Sequence, residues 1–102
     1  MSATLLRVLA DVRRERERQD ARWGQQDHED GTSLGYAAGA DEARQAYEEA
    51  AAAGRVTWSD ILHEEVCEAF AETDPVKLRA ELLQVAAVAC AWVECIDRRG
   101  SQ

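Results

Sequence analysis

Leu5, Leu6, Leu9 and Val12 recur at helical spacing and predict a first helix over about 4–22. Its second half, Arg13 to Arg22, alternates Arg with acids at i to i+4 and holds little to bury. Gly24, Asp27, Asp30, Gly31 and Ser33 then predict a loop over 23–35. An Ala- and Glu-rich second helix over about 36–53, with a weak apolar stripe, should stop at Gly54, a natural residue just past a helix end. Thr57-Trp58-Ser59-Asp60 reads as a capping box with Asp in place of the usual Glu. It opens a third helix to about 72, whose core face is Ile61, Leu62, Val66, Ala69 and Phe70. Asp74 as N-cap and Pro75 at the first helical position start a fourth helix to about 98, closed by Gly100. From Leu82 to Val93 that helix is apolar on nearly every side and has to be covered. In a chain of 102 residues the cover is expected from a second copy, as a homodimer or homotetramer.

The expected fold is all-α, a bundle of about four helices in a single domain. Composition agrees: one Pro, six Gly and 46% hydrophobic residues suit one helical core. Charge changes the picture. Residues 1–22 carry six Arg against four acids, a balance of +2, so the remainder carries −10 of the total −8. An acidic body argues against binding a nucleic-acid polymer. It suits a polyanionic substrate only where divalent cations mediate the contact. Cys67, Cys90 and Cys95 have no CxxC spacing and read as reduced core residues. No signal peptide is readable before Arg7, and the twelve-residue run Leu82 to Val93 is too short to span a bilayer. A cytoplasmic protein with no membrane partner is the expectation.

The connection between the third and fourth helices is so short that they should form an antiparallel hairpin. Glu65 and Gln84 lie equally far from the Asp74-Pro75 turn, and so do Glu68 and Glu81. Two pairs of oxygen-bearing side chains should therefore meet at matching levels, each pair member one turn from the next on its own helix. Carboxylates converging on an apolar helix interface repel one another and are poorly solvated. A divalent cation resolves both problems, and hard oxygen donors favour Mg²⁺ or Mn²⁺. The competing reading is a solvated acidic face, which for Glu64 taken alone is equally good.

Glu64-Glu65-Val66-Cys67-Glu68 is an EExxE motif, followed after twelve residues by Glu81-Leu82-Leu83-Gln84. This resembles the MazG-type nucleotide pyrophosphohydrolase signature, EExxE then ExxD, over residues 58–97, with a looser likeness before them. The resemblance implies an all-α oligomer that uses Mg²⁺ to cleave a (deoxy)nucleoside triphosphate into monophosphate and pyrophosphate. Carried over by position, Glu65, Glu68 and Glu81 would be metal ligands, and Glu64 would orient or deprotonate the attacking water. Where the family has Asp this chain has Gln84, whose carbonyl can still ligate a hard cation but brings one negative charge fewer.

Trp23, Gln26 and His28 in the first loop are candidate base contacts, Trp23 by stacking and the other two by hydrogen bonding. For Trp23 a helix-end anchor is an equal reading, and for His28 a solvated loop residue is the competing one. Lys77, one turn before Glu81, is a candidate phosphate contact or a surface cation, as is Arg79. The Arg13 to Arg22 run could reach a triphosphate on a neighbouring subunit, or be a salt-bridged solvated helix. Trp58 and Trp92 read as packing residues.

Overall fold

The computed structural model describes residues 2–100 and shows four α-helices, with no strand among the described residues. The fold is all-α, as the patterning predicts. The helices are α1 (Ala3–Trp23), α2 (Ala37–Ala52), α3 (Trp58–Ala71) and α4 (Pro75–Gly100), with a single 3₁₀ turn at Leu34–Tyr36 before α2. They group into two compact units, one holding the described residues to Asp30 and from Cys90 onward, the other Gly31–Ala89. No helix among the described residues is long and apolar enough to cross a membrane.

In the first unit, α1 begins where the Ser2 hydroxyl accepts the Leu5 amide at 3.0 Å. It ends at Gly24, which takes the left-handed φ of 68° and donates to the Asp20 carbonyl. Val8 is its buried residue, whereas Leu6, Leu9 and Val12 of the predicted stripe are exposed. The buried side is therefore centred one position away from the Leu6–Leu9 edge of that stripe. Along the second half, Arg13–Glu17, Arg14–Asp11, Arg16–Asp20 and Arg18–Glu15 pair within the helix, all exposed. That is the solvated, salt-bridged surface anticipated as one of two readings, and each such pair is worth well under about 1 kcal/mol.

The second unit carries the candidate site. The Ser33 amide donates to the Phe70 carbonyl at 2.9 Å, and the Tyr36 ring packs on Phe70 at 5.6 Å between centroids. These contacts tie the segment before α2 to the end of α3. Phe70 remains about half exposed, so it works as this tether and not as the core residue its position suggested. Ala40 and Ala43 on α2 and Ala69 on α3 are buried, and such small side chains let helix backbones approach closely. α2 closes as expected at Gly54 (φ 71°): Arg55 N–H donates to the Ala50 carbonyl and Gly54 N–H to the Ala51 carbonyl, a Schellman pattern.

α3 opens on the capping box. The Thr57 hydroxyl accepts the Asp60 amide at 3.2 Å, and the Asp60 carboxylate accepts the Thr57 amide at 2.9 Å. The Thr57 amide and, at 2.8 Å, the Thr57 hydroxyl donate to the Asp60 carboxylate and hold it below the usual carboxylate range. Between α3 and α4 the Glu72 carboxylate accepts the amides of Thr73 and Asp74, at 3.1 and 3.0 Å, which fixes the turn. The Asp74 carbonyl then accepts the Leu78 amide, making Asp74 the residue that starts α4. Leu78 is buried, while Val76, Leu82 and Leu83 are exposed. Much of the apolar surface of α4 in this unit is thus uncovered.

Candidate metal centre

Glu65 and Glu68 stand one turn apart on α3, and Glu81 reaches toward them from α4 after the tight turn. One carboxylate oxygen from each of the three lies within 4.8 Å of the others, and all three residues are half-buried. The register read from the sequence, Glu68 level with Glu81 about the Asp74-Pro75 turn, accounts for this convergence. Arg44 approaches from α2, its Nη2 3.6 Å from Glu68 Oε1 and its Nη1 3.3 Å from Asp41 Oδ1. A cleft of about 330 Å³ opens here, lined by Ala40, Asp41, Arg44, Glu68, Glu72 and Glu81 among others.

Glu65 Oε2 and Glu81 Oε2 are buried atoms that accept no hydrogen bond from the protein. Burial pushes the Glu65 carboxyl up, and the charges of Glu68 and Glu81 push it further. Glu81 is raised in the same way, by burial and then by Glu68 and Glu72. Glu64, on the same side of α3, is raised by burial, by the charge of Glu68 and by a hydrogen bond shared with it, against a smaller opposing pull from Arg44. A carboxylate raised in this way is a stronger base than an ordinary one.

The structure thus brings together Glu64, Glu65, Glu68 and Glu81. Gln84 is exposed one turn beyond Glu81, and Lys77 is exposed near the start of α4. Trp23, Gln26 and His28 belong to the first unit and are all exposed. Trp23 has a local partner there, the Arg22 guanidinium 4.9 Å above its ring. Gln26 borders a surface cleft with Arg16, Asp20 and Gly24.

Three contributors escaped the sequence reading: Arg44, Asp41 and Glu72. Arg44 left a usable signal, being the only Lys or Arg between residues 23 and 54. Its spacing from Ala40 and Ala43 put it on the flank of the one small-residue stripe in α2. No protein-family model, curated protein or solved structure matches the chain, so its resemblance to the MazG-type enzymes rests on the motif residues alone.

Proposed function

We propose that Glu65, Glu68 and Glu81 hold a divalent cation, Mg²⁺ or Mn²⁺, in an enzyme that hydrolyses a (deoxy)nucleoside triphosphate to the monophosphate and pyrophosphate. The observation that carries the proposal is the pair of buried, unpartnered oxygens, Glu65 Oε2 and Glu81 Oε2, beside a third carboxylate. Buried acceptors without donors are costly, and acids packed together are costlier still. The donor set suits the ion: each of the three residues offers a hard carboxylate oxygen, and these oxygens lie within 4.8 Å of one another.

When bound, the cation supplies charge neutralisation of the phosphate oxygens. Glu65, Glu68 and Glu81 fix it between α3 and α4, and the Gln84 carbonyl is available at the exposed end of the same helix face. Glu64, its carboxyl raised, takes the proton from the water that attacks the linkage between the α- and β-phosphates. A hydrogen bond shared with Glu68 keeps Glu64 beside the proposed ligands. The uncovered apolar side chains Val76, Leu82 and Leu83 on α4 support a homodimer or homotetramer, the assembly the resemblance implies.

The direct test is pyrophosphate release from a panel of nucleoside and deoxynucleoside triphosphates with Mg²⁺. Release that disappears in Glu68→Gln, with helix content unchanged, supports the enzyme. Retained nucleotide binding without release from any of them removes the enzyme and leaves a binding protein, the outcome that an amide at Gln84 favours.

A further inference from the structure

We infer that Arg44 is an exchangeable counter-ion: it neutralises Glu68 while the carboxylate site is free of a cation, and turns to a phosphate group once a cation takes that place. The inference rests on the metal reading of Glu65, Glu68 and Glu81 and adds a coupling between cation and polyanion to it.

Arg44 holds its two partners unequally. Its Nη1 makes a hydrogen bond to Asp41 at 3.3 Å, whereas Nη2 stands 3.6 Å from Glu68, at ion-pair but not hydrogen-bond distance. The Glu68 contact is therefore the looser one. The Arg44 side chain is 48% exposed, so its head can turn without unpacking α2. Asp41, three residues earlier on the same helix, tethers the guanidinium beside the cleft whichever way it turns.

A cation held among the three carboxylates repels a guanidinium beside Glu68 and satisfies the charge that kept it there. The freed fork then presents parallel N–H donors, the geometry that phosphate oxygens accept in pairs. The cleft needs such a group. Asp41, Glu68, Glu72 and Glu81 all line it, and Arg44 is the one cation among its lining residues. A polyanion entering without Arg44 would meet four acids and three alanines, with no cationic side chain among the lining residues. Coupling of this kind is reciprocal: the anion should tighten the hold on the cation as the cation does on the anion.

The test uses calorimetry on the full chain and no turnover. Mn²⁺ is titrated alone, and inorganic pyrophosphate is then titrated into Mn²⁺-saturated protein. Arg44→Gln should bind Mn²⁺ about fivefold more tightly, the weight of one partly screened ion pair. The same variant should bind pyrophosphate at least about tenfold more weakly, through lost charge-assisted hydrogen bonds. Arg44→Lys keeps the charge without the fork, so it should leave Mn²⁺ binding near that of the parent and still weaken pyrophosphate. Arg55→Gln removes a cation elsewhere in the unit and should change neither constant. Unchanged constants in Arg44→Gln, or the same changes in Arg55→Gln, overturn the inference while leaving the metal site standing. A parent protein that takes up no Mn²⁺ overturns the metal reading, and the inference with it.

Discussion

Replacing Glu81 by Gln should stabilise the protein when cations are withheld and make it the less stable of the two when they are supplied. The oxygens of Glu65, Glu68 and Glu81 lie within 4.8 Å of one another, where two unit charges repel by about 3.5 kcal/mol at an effective dielectric constant of about 20 and about 0.9 kcal/mol in bulk water. Arg44 pairs with Glu68 and offsets part of this repulsion, so the lower part of that range is taken. Glu81→Gln removes two of the three repulsions and keeps the side chain's size and polarity. A gain of about 1–2 kcal/mol follows, or roughly 5–10 °C in Tm for a domain of this length. With Mn²⁺ at 100 times its dissociation constant, the parent gains about 2.7 kcal/mol by binding. A variant whose affinity has dropped a hundredfold gains only about 0.4 kcal/mol, so the order of melting temperatures reverses. Thermal melts followed by circular dichroism, in EDTA and in Mn²⁺, read both halves. A variant that melts below the parent in EDTA, or that rises with Mn²⁺ by as much as the parent, would refute the argument, because the carboxylates would then be neither strained nor ligands.

The pH dependence of the cation-free protein follows from the same groups. Glu64, Glu65 and Glu81 are raised above 4.5, so the folded chain keeps protons that the unfolded chain has lost, and stability falls as pH rises through that window. Melts in EDTA should therefore rise as pH is lowered from neutral toward about 5, and the slope should flatten when Mn²⁺ is present. Asp60 has the opposite sign: its carboxyl is depressed below 3.8, so its capping contribution is lost as pH falls through its folded value, and a melting temperature still climbing below pH 3.8 would contradict this. Thr57→Ala removes one side of the capping box at the start of α3 and should cost about 1 kcal/mol in urea unfolding, without changing the m-value. Leu83→Glu places a charge on the uncovered face of α4, where the parent residue is 55% exposed; it should convert a sedimenting dimer or tetramer to monomer with helix content intact, and a parent that sediments as a monomer defeats the assembly reading.

Local rules carried most of the fold because the chain's boundaries are local. The capping box at Thr57, the Gly54 closure and the Asp74-Pro75 start each depend on residues within one turn, and each is found as read. The side that a helix buries is a different kind of fact, decided by neighbours the chain does not name. The Leu6–Leu9 stripe of α1 therefore proved exposed and Val8 buried, and Phe70 became a partner for Tyr36. The carboxylate register was legible because a three-residue turn leaves two helices almost no freedom of alignment. Arg44 was harder to read, because α2 is joined to α3 by a longer connection and only its weak Ala40–Ala43 stripe marks the side it buries.

The cost of the site is itself an argument about its purpose. Glu65 and Glu81 occupy half-buried positions where a leucine or methionine would gain from the same burial and leave no acceptor unpartnered. Arg44 offsets this only in part. It reaches Glu68, the one of the three carboxylates absent from the unpartnered atoms, and no salt bridge to Glu65 or Glu81 joins it among the described residues. An ion-pair network meant only to hold α2, α3 and α4 together would place its cation among the acids that need it most. Here Arg44 pairs with Glu68 alone of the three, and Glu65 Oε2 and Glu81 Oε2 are left without a hydrogen-bond partner, which is the arrangement the proposed cation site calls for.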